Sequence, residues 1–176
     1  MNEIAIPLLL VRLIGLGFAA HGAQKLFGWF GGYGLAGTGG FFESLGFRPG
    51  RFFAGAAGVG ELLGGLLIAF GLGGPIGSML AIAVMVVAIL SVHLSHGFFA
   101  SNNGYELPLA YIGWAFILAF TGFGPYSLDA VLGLNTLWTL QIAWIAVLLG
   151  VLGGLANMAL RRKAPPAPAA AGEVLP

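Results

Sequence analysis

The sequence predicts an all-α integral membrane protein, one bundle of crossing helices. Composition is the first sign: 59% of the 176 residues are hydrophobic and 7% charged, where soluble domains carry roughly a quarter charged, and mean hydropathy is +0.97. The second is length. Five apolar runs approach the roughly 20 residues that a helix needs to cross a hydrocarbon core of about 30 Å. The third is periodicity, because these runs are apolar throughout and lack the alternation of a lipid-facing barrel strand.

The first run, Ile4 to Gly22, carries Arg12 near its middle and lacks both the basic start and the cleavage site of a signal peptide, so it reads as a span. The interfacial loop 24–51 follows, rich in glycine and aromatics and expected to lie along the bilayer surface. Within it, Thr38 is predicted to cap a short helix through Leu45 that Gly46 ends, with Phe41, Phe42 and Leu45 toward the acyl chains and Trp29, Phe30 and Tyr33 at headgroup level. An interfacial anchor and a lid over a pocket are both open readings of this segment. The second span, Phe52 to Leu72, has Glu61 at its centre. Ala56, Gly60 and Gly64 form a small-residue stripe there, and Ala57 and Gly65 lie one turn either side of Glu61, so a neighbouring helix can come close. A tight turn at Gly73 to Pro75 leads to the third span, Ile76 to His96, and another at Ser101 to Glu106 leads to the fourth, Leu107 to Phe123. The fifth span is Leu137 to Leu160. Residues 1–160 thus read as a single bundle, and 161–176, rich in Ala and Pro, as a flexible cytoplasmic tail.

Positive charge orients the bundle. Lys25, Arg48 and Arg51 lie in the first loop, and Arg161, Arg162 and Lys163 follow the last span. Five crossings bring all of these to one side, which the distribution of Lys and Arg assigns to the cytoplasm, with the N-terminus outside. A net charge of +1 with no basic groove gives no reason to invoke nucleic acid. The absence of cysteine excludes disulfides and thiolate chemistry from this chain. No hydrolase elbow, phosphate loop or dinucleotide fingerprint is present.

Charges at membrane depth are expensive and therefore informative. Arg12 and Glu61 lie at similar depth on adjacent antiparallel spans, each on a face of small residues, and are predicted to form an ion pair. That pair either fixes helix register or belongs to a site that binds a ligand or relays protons. A second polar group gathers at the cytoplasmic edge: His21 and Lys25 at spacing i,i+4, His93 and His96 at i,i+3, and Glu106. The candidate ligand or proton-handling set is therefore Arg12, Glu61, His21, Lys25, His93, His96 and Glu106, with no catalytic residue assigned. His93 and His96, with Glu106 as an oxygen ligand, are a weak metal signal lacking a known third partner, and no metal is assigned. Such polar groups beside apolar helices suit a quinone as cofactor.

The motifs His21-Gly22-Ala23-Gln24-Lys25-Leu26-Phe27-Gly28, Gly37-Thr38 with Phe41-Phe42, Gly60-Glu61-Leu62-Leu63-Gly64-Gly65, His93 with His96-Gly97-Phe98-Phe99, Tyr105-Glu106-Leu107 and Ser127-Leu128-Asp129 together resemble the DoxX family of small bacterial membrane proteins. The resemblance spans about Leu9 to Asp129. It implies a compact four-helix transmembrane bundle, to which the fifth C-terminal helix is an addition. It further implies an inner-membrane protein akin to a subunit linked to thiosulfate:quinone oxidoreductase, in a family with members tied to oxidative-stress complexes and distant relatives acting as chaperones or cargo receptors. Two functions follow as expectations. One is a membrane subunit of a quinone-dependent oxidoreductase, with a polar pocket for a quinone or a sulfur oxyanion. The other is a non-catalytic assembly or accessory protein that meets protein partners, or a second copy of itself, through small-residue faces including Gly150 and Gly154.

Overall fold

The computed structural model describes residues 3–162 of the chain. Its elements are α1 (Ala5–Phe27), α2 (Gly34–Ser44), α3 (Gly50–Phe70), α4 (Ile76–Ala88), α5 (Glu106–Thr121), α6 (Leu128–Val131) and α7 (Leu140–Ala159), with no strand among the described residues. The protein is an all-α membrane protein. Helices α1, α3, α4 with its extension to His96, and α7 are each long and apolar enough to cross a bilayer. Helix α5, also apolar, has 16 residues and is about 24 Å long, so its C-terminal end stops short of a full hydrocarbon thickness.

Helices α1 and α3 pack antiparallel with their backbones in contact. A Cβ on Gly15 would strike the Gly65 carbonyl and one on Gly22 would strike the backbone at Gly58 and Leu62, so small residues set both the spacing and the stagger of this pair. Helix α4 runs antiparallel to α3, with Gly64 against Gly77 and Leu80 and Gly60 against Val84. Phe18, Ile68, Ile82 and Leu118 meet in the centre of α1, α3, α4 and α5, each almost fully buried. The Trp114 indole closes this centre by donating to the Val11 carbonyl at 2.9 Å. Helix α7 lies outside the four, parallel to α4, where Gly150 seats on Met79 and Ile82 and Gly154 on Ala83 and Val86; Trp144 adds edge contacts to Phe116 and Phe120 of α5. The expectation that Gly150 and Gly154 dock a partner is thereby corrected, since both are buried against this chain's own α4.

Several element boundaries differ from the sequence expectation. Helix α1 continues to Phe27, until Gly28 at φ 73° leaves the helical region. Helix α2 starts at Gly34, so Thr38 lies inside it, buried, and caps nothing; Gly46, at φ 95°, does follow its end. The third span changes character after Ala88, becoming a π turn over Ile89–His93 and a 3-10 turn over Leu94–His96. Helix α7 begins at Leu140, where the Thr139 hydroxyl accepts from the Ile142 amide.

At one end of the bundle the last described residues fold back onto the first loop. The Arg162 amide donates to the Gly46 carbonyl at 2.9 Å and the Arg161 side chain to that of Leu45. The loop before α3 and the end of α7 therefore share one end, here called the basic end. The proposed Ala/Pro-rich tail from residue 163 onward lies outside the described residues.

Candidate functional site

Arg12 and Glu61 do not meet. Arg12 is 2% exposed, and its two terminal nitrogens donate to the carbonyls of Phe123 and Tyr126, each at 3.0 Å. The reason lies in the stagger of α1 on α3. With Gly15 beside Gly65 and Ala69, and Gly22 beside Gly58 and Leu62, Arg12 comes level with Gly71, where a Cβ would touch its guanidinium; Gly71 lies about 15 Å further along the chain direction than Glu61. What Arg12 satisfies is backbone, because the chain after the short α5 leaves the carbonyls of Phe123 and Tyr126 without helical partners beside the buried guanidinium. Asp129 does the converse for amides in the same region: its carboxylate accepts from Gly73 at 2.9 Å and Gly74 at 2.7 Å, and its own amide donates to Gly71. Arg12 and Asp129 thus flank Gly71, a residue at φ 65°, and tie α1, α3 and α5 together at the end remote from the loop cations.

The partner of Glu61 is Lys25, whose ammonium is 2.5 Å from Oε2. Glu61 is 3% exposed and the Lys25 side chain 27%, so the lysine brings its charge inward from the last turn of α1 to neutralise a carboxylate buried mid-helix. The pair borders a cleft of 490 Å³ between α2, α3, α4 and α7. Its walls are mostly apolar: Phe42 of α2, Phe53 and Ala57 of α3, and Val84 and Val87 of α4 are representative. Phe41 of α2 and Leu45 just after it line the same side of this space. The size falls within the range typical of small-molecule sites, about 300–1,000 Å³.

His93 stands at the mouth. The π turn that ends α4 carries Ser91, Val92 and His93 onto the cleft lining, a use of π geometry that often marks functional positions. The His93 ring lies 2.7 Å, through Nδ1, from the Asn103 carbonyl; a carbonyl can only accept, so Nδ1 carries the proton and Nε2 of the neutral ring keeps a lone pair. The other expected residues are spent elsewhere. His21 is exposed and bonds to the Gln24 side chain at 3.0 Å. His96 donates to the Val92 carbonyl at 2.8 Å. Glu106 accepts from the Ala100 amide at 2.8 Å and so shapes the turn before α5. His93, His96 and Glu106 therefore do not converge as a ligand set, and among the described residues no three such side chains gather.

Sequence reasoning passed over Asn157 and Gly153, which line the α7 side of the cleft. The signal was present: Asn157 follows Gly150 and Gly154 at helical spacing and so belongs to the face turned toward α4. Because Gly150 meets Ile82 and Gly154 meets Val86 in the same parallel register, Asn157 falls level with Ile89, one turn deeper than His93. Among the described residues its carboxamide has no partner. Asp129 was noticed only as part of a motif, although the Ser127 hydroxyl that accepts from the Ala130 amide marks a helix start just before it.

No curated protein and no solved structure matches the chain. The DoxX family model matches residues 7–94, half of the chain, from the first turn of α1 through the π turn of α4. Lys25, Glu61 and His93 all fall within that stretch, whereas the α7 wall with Asn157 lies beyond it. The chain is a multi-pass membrane protein that belongs to the DoxX family.

Proposed function

We propose that the protein is an inner-membrane subunit of a quinone-linked redox or oxidative-stress complex and that its cleft receives a quinone-class amphiphile. The observation that carries this reading is the Lys25–Glu61 ion pair exposed to a 490 Å³ space whose other walls are mainly apolar. Such a space accepts an isoprenoid or alkyl tail among Val84, Val87 and Phe42, while Lys25 can donate to a ring oxygen and Glu61 and the His93 Nε2 can accept from a ring hydroxyl. A sulfur oxyanion is less well served. Among the described residues Lys25 is the only Lys or Arg on the lining, and its charge is already met by Glu61, so a bound anion has no uncompensated described cation to face. The loop cations and the end of α7 are assigned to the cytoplasm by the distribution of positive charge, which leaves the N-terminus outside; α2 then serves as a lid at that surface.

The test is to purify the protein in mild detergent and examine the intact preparation by mass spectrometry, then titrate it with decyl-1,4-benzoquinone. Bound quinone, or saturable binding that Lys25→Ala weakens at least about tenfold, supports the reading. Co-purifying subunits with neither bound quinone nor saturable binding would overturn it in favour of a non-catalytic assembly or accessory role.

A further inference from the structure

We infer that the cleft selects the reduced, hydroxyl-bearing form of its ligand over the oxidised carbonyl form. The inference rests on the cleft being the quinone site and adds which redox state that site is built for. Lys25, Glu61 and His93 border it, beside the Ser91 hydroxyl and the Asn103 and Asn157 carboxamides. Lys25 occupies Glu61 Oε2, and among the described residues nothing donates to Oε1, so a carboxylate acceptor remains open. His93 gives its Nδ1 proton to the Asn103 carbonyl, so Nε2 also presents a lone pair. Against these two acceptors stand the ammonium protons that Lys25 does not spend on Glu61. Asn157, with a donor and an acceptor on one carboxamide, is neutral in the choice.

A hydroquinone satisfies this arrangement. Its hydroxyl donates to Glu61 Oε1 or to His93 Nε2 and its oxygen still accepts from Lys25. A quinone carbonyl can use the Lys25 ammonium and the Asn103 and Asn157 carboxamides, which serve a hydroxyl equally well, and it sets its lone pairs against those of the carboxylate and the imidazole. Desolvating two acceptors without a donor is the penalty that discriminates best between a ligand with a hydroxyl and one without.

The experiment is anaerobic calorimetry on the detergent-solubilised full chain with three probes of equal tail length: decyl-1,4-benzoquinone, its hydroquinone, and the dimethyl ether of that hydroquinone. The hydroquinone is expected to bind at least about tenfold more tightly than either of the others. His93→Asn keeps a donor near the Nδ1 position and removes Nε2; it is expected to reduce the hydroquinone preference over the quinone severalfold, with an unaltered elution profile reporting the fold, and an unchanged preference overturns the role given to Nε2. Equal or tighter binding of the quinone overturns the inference and leaves the quinone site standing, as does dimethyl ether binding equal to that of the hydroquinone. Failure of all three probes to bind overturns the site itself.

Discussion

At the scale of single residues, the protein separates two buried charges that the sequence invites one to pair. Arg12 serves carbonyls beyond α5 and Glu61 serves Lys25, so the two are energetically independent. Thermal or denaturant unfolding in detergent should find Arg12→Leu and Glu61→Gln additive within about 0.5 kcal/mol, while Lys25→Met and Glu61→Gln couple by at least about 1 kcal/mol, the double variant losing less than the sum. Arg12→Leu alone strands two carbonyls inside the protein and is expected to cost about 3 kcal/mol, at about 1–3 kcal/mol for each unmet group. A measured cost below about 1 kcal/mol would show that water or lipid reaches Phe123 and Tyr126. That both charges lie in spans, and on faces of small residues, was legible in the sequence. Their partners were not, because depth was inferred from position within each apolar run, and the stagger that Gly15, Gly22 and Gly65 impose moves Arg12 level with Gly71. Lys25 was read as an interfacial cation since its Cα is near the end of α1; a side chain that long reaches well back into the span.

At the scale of elements, hydropathy located every long helix to within a few residues, since the cost of unpaired backbone in lipid leaves a continuous apolar run little else to become. It could not show that α4 ends in a π turn, in which the Ser91 hydroxyl donates to the Val87 carbonyl, because such a turn has no simple sequence period. Nor could it show what α7 packs against. Its two adjacent glycines make opposite predictions. Gly154→Leu would overpack against Val86 and is expected to cost about 1–3 kcal/mol. At Gly153 an added Cβ meets nothing within 4 Å, so Gly153→Leu should leave stability within about 0.5 kcal/mol of the parent and weaken quinone binding by filling the cleft from the α7 side. Comparing unfolding midpoints with decyl-benzoquinone titrations separates the two effects, and loss of fold in the Gly153 variant would remove α7 as a wall of the site.

At the scale of the whole molecule, the alternating directions of α1, α3, α4, α5 and α7 bring Lys25, Arg48, Arg51, Arg161 and Arg162 to one end of the bundle and the Gly71 to Gly74 turn with Asp129 to the other. The chain has no cysteine, so single introduced thiols give a clean readout of sidedness. Arg48→Cys and Arg162→Cys are expected to react with an impermeant maleimide from the same face of sealed vesicles, and Asn135→Cys only from the opposite face; labelling of Arg48→Cys and Arg162→Cys from different faces would contradict the five-pass path. The bond between the Arg162 amide and the Gly46 carbonyl also bears on biogenesis. Helix α7 leaves the ribosome after α1 to α5, yet it supplies one wall of the cleft, and the residues just past it tether the chain just after α2. A nascent protein halted before α7 therefore displays a groove open along one flank, and insertion of α7 is the event that shuts it.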